Sequence, residues 1–415
     1  MTTRAVFGSV NRDSDVPERW RMLALLAVAE LLGMSLWFAG SAAAPLLRAE
    51  WSLTDTQVGW LTTAVQLGFV AGTAISALLN LADIIPARIF FAVAALLGAA
   101  ANAWMAFTPS LSGAIASRAL AGACLAGVYP PAMKMAATWF RDRRGLAVGT
   151  IVGALTVGKA GPYLVSAIPG AGIVGITLLA SATAIVAAVI IWLGYRDGPF
   201  AFPPRPFSWA RVGDVVASRP WRLALGGYLG HMAELYSYWT WIPAFLAASV
   251  LGDVHALTAP ATPGVRILGF AVIAVGGAGC VWGGLVADRI GRTALVTRAL
   301  AVSATCCALI GLAFGHTLWL LAPIALIWGF FIIADSAQFS VLVTESVPAH
   351  AVGTAITLQV SLGFLLTTAT IQAVPAIVRT AGWPWVFAML AVGPVLGIAS
   401  IRRLTLSEAP RGTAK

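Results

Sequence analysis

The sequence predicts an all-α polytopic membrane protein, with twelve transmembrane helices arranged as two pseudo-symmetric six-helix bundles. Three observations carry that prediction. Of 415 residues, 59% are hydrophobic and only 10% charged, where a soluble domain carries about 25% charged residues. Apolar runs of about 20 residues, long enough to span a bilayer, recur from end to end. The chain also repeats itself once. Ala29-Glu30-Leu31, followed by Trp37, is answered 204 residues later by Ala233-Glu234-Leu235, followed by Trp241. Ala147-Val148-Gly149-Thr150 is answered by Ala351-Val352-Gly353-Thr354 at the same offset, and Asp83 by Asp288 after 205 residues. One internal repeat with an acid in the apolar part of each copy is a two-bundle pattern. Finally, 20 of the 26 lysines and arginines fall on the side that holds both termini, and only Arg48, Arg266 and Arg379 fall opposite. Basic loops favour the cytoplasmic side, so both termini are expected there.

The spans follow in order. Span one (21–47) is about twice the length of a signal-peptide core, has no small-residue cleavage site after it, and is read as a retained helix. Spans two (56–79) and three (89–107) flank the short loop from Asp83 to Arg88. Span four (111–139) carries Arg118, Lys134 and the kink-prone Pro130-Pro131 pair. Span five (146–169) is glycine-rich around Lys159. Span six (172–194) ends at the longest break between apolar runs, residues 195–220, where Gly198-Pro199 and Pro203-Pro204 resist helix formation. That cytoplasmic linker divides an N-terminal bundle (1–194) from a C-terminal one (221–415), where the repeat requires a boundary. Span seven (221–248) holds Glu234, and span eight (265–287) ends at a charged loop. Span nine (294–314) holds Cys306 and Cys307, and span ten (317–344) holds Asp335. Span eleven (352–378) opens on the repeated Ala-Val-Gly-Thr, and span twelve (383–402) closes the set.

The net charge of +10 is thereby explained by topology, and no nucleic-acid partner is expected. Cys124, Cys280, Cys306 and Cys307 all fall within spans without metal-ligand spacing, so neither disulfides nor metal sites are expected. There is no nucleotide-binding loop, no nucleophile with paired catalytic acids and no cofactor motif. The chain is read as a non-enzyme without cofactors, and any uphill work must draw on an ion gradient.

Between spans eight and nine the chain reads Gly283-Gly284-Leu285-Val286-Ala287-Asp288-Arg289-Ile290-Gly291-Arg292. This resembles the Gly-x-x-x-Asp-Arg-x-Gly-Arg loop signature of the major facilitator superfamily (MFS). A related copy stands between spans two and three, where Asp83-Ile84-Ile85-Pro86-Ala87-Arg88 keeps the acid and a displaced arginine. The resemblance implies a conformational latch formed by Gly284, Asp288, Arg289, Gly291 and Arg292, with Asp83 and Arg88 in the first half. Acid, arginine and helix end would pair in one state and separate in the other. The alternative is a tight turn with solvated charges. Arg118-Ala119-Leu120-Ala121-Gly122 is similar to the superfamily's Arg-x-x-x-Gly motif, whose arginine is linked with proton coupling. Gly149, Gly153, Gly158, Gly161 and Pro162 are similar to the glycine-rich motif of drug/proton antiporters, but Val165 and Ser166 stand where its closing glycine pair would be. The resemblance spans nearly the whole chain. It also implies that spans one and seven line the central cavity.

An ionisable group in hydrocarbon costs several kcal/mol, roughly 2.5–3.5 on insertion scales, so each is a candidate functional residue. Lys159 leads. It lies roughly 20 Å along its helix from the cytoplasmic end at 1.5 Å per residue, too deep for a lysine to reach water easily. Gly158 and Gly161-Pro162 are expected to open room beside it, and its repeat counterpart is Gly363. It suits an anionic substrate, or a salt bridge to an intramembrane acid. Arg118 is divided between ligand contact or coupling and a structural pair, while Lys134 is read as snorkelling. Glu30, Glu234 and Asp335 are candidate proton-coupling groups, against the alternative that the glutamates pin their helices by pairing with Lys159, Arg118 or backbone. His231, Tyr238 and Trp241 share a helical face with Glu234, and Trp37 extends the Glu30 face. With Lys159 and Arg118 they form the expected substrate-binding set, against an alternative of ordinary packing.

The leading reading is a secondary active transporter in the cytoplasmic membrane, working by alternating access on a small anion coupled to protons, as a monomer within the lipid bilayer. Proton-driven efflux of drug-like compounds is the alternative within transport. A non-transporting membrane sensor or assembly factor is the alternative of another class.

Overall fold

The computed structural model describes residues 17–141, 143–200 and 207–408, so the two terminal stretches, Asp142 and residues 201–206 of the predicted linker lie outside the described residues. The first half contains α1 (Pro17–Met34), α2 (Ala39–Trp51), α3 (Asp55–Leu78), α4 (Leu81–Ile84), α5 (Ala87–Trp104), α6 (Leu111–Leu125), α7 (Tyr129–Ala137), α8 (Arg144–Ser166) and α9 (Gly172–Gly194). The linker contributes the short α10 (Val212–Ala217). The second half contains α11 (Arg219–Leu251), α12 (Pro263–Ile290), α13 (Arg292–Leu309), α14 (Leu318–Ala334), α15 (Ser336–Glu345), α16 (Val352–Ala381), α17 (Trp383–Leu390) and α18 (Val392–Glu408). No strand occurs among the described residues.

Every predicted span coincides with helix, and among the described residues eleven helical stretches are long and apolar enough to cross a membrane. The helix over the predicted seventh span is not among those eleven. It is 33 residues long, but His231, Glu234, three tyrosines and three tryptophans dilute its apolar character. Predicted spans one, four, ten and twelve are each two helices, interrupted at 35–38, 126–128, Asp335 and Ala391. An interrupted ladder frees carbonyls at membrane depth, and those must find protein donors.

The packing follows the sequence repeat. In the first half α1 packs on α8 and α9, α3 on α6, and α5 on α9; in the second half α11 packs on α16 and α18, α12 on α14, and α13 on α18. The halves meet along α8 with α12 and along α3 with α16, two seams that the 204-residue offset exchanges. Glycine makes the first seam possible, because a small residue lets backbones approach within van der Waals distance. Gly145 lies against Gly284, Gly149 against the Cys280 carbonyl and Gly153 against Gly277.

One expectation is corrected here. Gly158 does not open space beside Lys159: a Cβ there would collide with the backbone of Leu31. The missing side chain is what lets α1 seat against α8. Gly161, by contrast, faces open space. Gly158→Ala is therefore expected to lower stability by about 1–3 kcal/mol, the usual cost of overpacking, while Gly161→Ala leaves it within about 0.5 kcal/mol. Thermal unfolding of the two purified variants in detergent checks the contrast.

Candidate functional site

The interruption in span one organises the centre of the molecule. Between Met34 and Ala39 the chain turns, and the carbonyls of Leu36 and Trp37 point out of the helical ladder. Arg118 fills the gap: Nη2 donates to Leu36 O at 2.8 Å and Trp37 O at 2.5 Å, and Nη1 donates to Asn102 Oδ1 at 2.7 Å. Asn102 in turn donates to Thr177 O and Ser181 Oγ, both at 2.9 Å. Gly40 makes room for the arginine side chain, which a Cβ there would crowd at 2.9 Å. Arg118, expected to touch substrate, is here a clamp on backbone carbonyls. Arg118→Leu would leave buried carbonyls without donors, and each unsatisfied group costs about 1–3 kcal/mol. A drop in folded yield and unfolding temperature is expected, together with altered quenching of Trp37, the ring that the clamp holds.

That turn carries Trp37 onto Lys159. The buried ammonium lies 3.9 Å from the Trp37 ring centroid, 4.8 Å from Tyr236 and 4.9 Å from Trp239. Its Nζ donates to the Tyr236 hydroxyl at 2.6 Å. No carboxylate comes within 4 Å of it among the described residues. Ring faces are negative, so three of them partly compensate a cation, yet an ammonium has three donors and only one is used. The surrounding box is aromatic and built from both halves. Trp37, Phe38, Phe69 and Tyr163 come from the first, and Tyr236, Trp239 and Phe364 from the second. Phe69 and Phe364 face each other across the α3–α16 seam at 4.7 Å.

Glu30, on α1, is fully buried and close enough to Lys159 to interact electrostatically, but neither of its carboxylate oxygens has a hydrogen-bond partner among the described residues. The side-chain amides of Gln66 and Gln359 are likewise buried and unpartnered. Buried polar groups are almost always satisfied, and the exceptions concentrate where a ligand or proton is handled.

The structure brings together only part of the expected substrate set. His231, Glu234, Tyr238 and Trp241 do share one face of α11, but that face packs into the second half. Glu234 Oε1 accepts from Ser303 Oγ at 2.7 Å and from the Trp328 indole. Tyr238 donates to the carbonyls of Val272 and Ala325 at 3.1 and 2.9 Å, and Trp241 to Ile371 O at 3.1 Å. His231 Nδ1 approaches Asp335 Oδ1 at 3.0 Å, without hydrogen-bond alignment. The residues of α11 that reach Lys159 are instead Tyr236 and Trp239. Two residues along a helix is about 200° of rotation, so Tyr236 and Tyr238 face opposite ways. Sequence spacing identified the polar face of the helix. The aromatic pair Tyr236 and Trp239, three residues apart, was the available signal for the other. Gly363 stands at the repeat position of Lys159 and is covered by the Tyr228 ring, which fills the room a lysine would take.

The loop residues divide in the same way. Gly284 abuts Gly145 at the start of α8, with the Asp288 carboxylate over the same glycine, a favourable place for an acid at a helix N-terminus. Gly291 adopts φ +87°, where glycine is unstrained. Arg292 pairs with Glu345 at 2.8 Å, while Arg289 is exposed. In the first half Asp83 pairs with Lys134 at 3.2 Å, so the lysine expected to snorkel meets an acid and the Ala82 carbonyl. Arg88 is exposed. The four cysteines are free, and no cluster of three potential metal ligands occurs among the described residues.

No curated protein sequence matches the chain. The profile of the Major Facilitator Superfamily matches residues 25–371, from within α1 to within α16 and across both halves. Its members are multi-pass membrane transporters of small solutes, and that accords with the helices and buried charges described above. This chain belongs to the Major Facilitator Superfamily.

Proposed function

We propose that the protein carries a small anion across the cytoplasmic membrane together with protons, by alternating access between two six-helix bundles. In this reading α11 is the seventh of twelve spans. Residues 1–194 and 221–415 are the moving bodies, 195–220 is the cytoplasmic linker, and the protein works as a monomer with both termini in the cytoplasm. The observation that carries the reading is Lys159, a buried lysine at the junction of the halves with no carboxylate within ion-pair distance among the described residues. A substrate anion would take the donors that Tyr236 leaves unused. Glu30, buried with both oxygens unpartnered, is the group that would take a proton on one side and release it on the other. Asp335 with His231, and Glu234 with Ser303 and Trp328, are secondary candidates within one half. The pairing of Arg292 with Glu345 and the seating of Asp288 over Gly145 support a latch at the cytoplasmic ends.

A second reading rests on the aromatic box. Three rings around an ammonium would also accept a lipophilic cation in its place, which would make the protein a proton-driven exporter. Proteoliposomes challenged with small anions and with organic cations, with and without a pH gradient, separate the two. Flux of an anion that is lost in Lys159→Ala supports the first. Flux of a lipophilic cation that survives in Lys159→Ala supports the second.

A further inference from the structure

The three basic residues that depart from the charge distribution, Arg48, Arg266 and Arg379, all make polar bridges at the same end of the helices. Arg48, in the last turn of α2, pairs with Asp55 in the first turn of α3, within the first half. Arg379, in the last turn of α16, reaches the other oxygen of Asp55 at 3.7 Å and so crosses between the halves. Arg266, near the start of α12, donates to the carbonyl of Ser166, the last residue of α8, at 2.5 Å, and crosses the second seam. Deeper in the first crossing, Gln372 Nε2 donates to Thr63 Oγ1 at 2.9 Å, with its amide laid over Gly59.

We propose that Arg379 with Asp55, and Arg266 with the Ser166 carbonyl, form a two-point latch that closes the extracellular end of the transport path. Arg48 holds Asp55 in place when Arg379 leaves. The proposal rests on the alternating-access reading. Each seam between the halves is bridged by one arginine of the second half on an acceptor of the first. The charges are suited to repeated opening, because each is also stabilised by its own helix. Asp55 lies at the N-terminus of α3 and Arg379 at the C-terminus of α16, the ends that favour an acid and a base respectively. Parting them strands neither charge. The Arg379 side chain is 51% exposed, so the pair is weak, as a part that breaks in every cycle has to be.

The test uses the full chain with Cys124, Cys280, Cys306 and Cys307 replaced by alanine and a reporter cysteine at Thr63, beneath the latch. A membrane-impermeant thiol reagent is applied to intact cells and, separately, to inverted vesicles. Labelling in cells is expected to rise about fivefold in Arg379→Ala, the population shift that about 1 kcal/mol produces. It should rise further when Arg266→Ala is added, and stay at the parental rate in Arg48→Ala. Equal labelling in parent and Arg379→Ala overturns the latch, as does an equal rise in Arg48→Ala. If the Thr63 reporter does not fold, Gln372→Cys reports from the opposite wall. Failure of the transport reading looks different: no solute flux in liposomes, whatever the labelling rates.

Discussion

Lys159→Met is expected to abolish transport while leaving the protein as stable as the parent, or more so. Methionine matches the length of the lysine stem and keeps contact with the Trp37, Tyr236 and Trp239 rings, which sulfur tolerates well. What disappears is an amine that is buried and, among the described residues, donates to a single phenol and has no carboxylate within ion-pair distance. A buried ammonium carries a desolvation cost that an apolar group of similar volume does not, and the nearby Glu30 can stay protonated once the cation is gone. Losing a buried charge contact to substrate costs about 2–5 kcal/mol, a fall in flux of roughly 30-fold to 1,000-fold or more. A raised or unchanged unfolding temperature with lost flux would mean that the cation is retained for work rather than for folding. A large drop in unfolding temperature, or flux within about threefold of the parent by the same arithmetic, would make Lys159 a structural residue and remove the main support for an anionic substrate.

The sequence carried the helices, because apolar runs are patterns that survive in one dimension. Apolar runs place most helices to within a few residues, and the 204-residue offset relates the α8–α12 contact to the α3–α16 contact once the structure shows both. Arg118 and Lys159 were both legible as buried charges, but not as different kinds of residue. Arg118 is committed to the carbonyls freed where α1 gives way to α2, and no pattern near residues 35–38 announces that break. The α11 face shows the same limit. Periodicity groups His231, Glu234, Tyr238 and Trp241 on one face, but it cannot say which neighbour a face meets. In the structure that face meets α12, α13, α14 and α16, and Tyr236 and Trp239 are left for Lys159. Likewise Arg48, Arg266 and Arg379 stand out in a charge count, while their partners lie on segments up to 324 residues away in sequence.

Glu30 and Glu234 occupy equivalent places in the repeat, and their substitution by glutamine is expected to separate them. Glutamine keeps the shape of a protonated glutamate and removes the ionised form. At position 234 one oxygen accepts both the Ser303 hydroxyl and the Trp328 indole, and an amide oxygen can accept both as well. Glu234→Gln should therefore transport nearly as the parent does, losing about 1 kcal/mol of stability as charge-assisted bonds become neutral ones. At position 30 no hydrogen bond is lost, because none is made. Instead Lys159 loses the nearby carboxylate, and the protein loses a group able to bind and release a proton at the junction of the halves. Glu30→Gln should still exchange labelled for unlabelled solute across liposomes, yet fail to accumulate it when a pH gradient is imposed. Accumulation that persists in Glu30→Gln but vanishes in Glu234→Gln would move proton coupling into the second half, to the cluster of Glu234, His231 and Asp335. The repeat would then have preserved the acid for the opposite reason: a coupling group in the copy where it is hydrogen-bonded, and a helix anchor in the copy where it is not. Unpartnered oxygens make poor anchors, and that argues for coupling at Glu30.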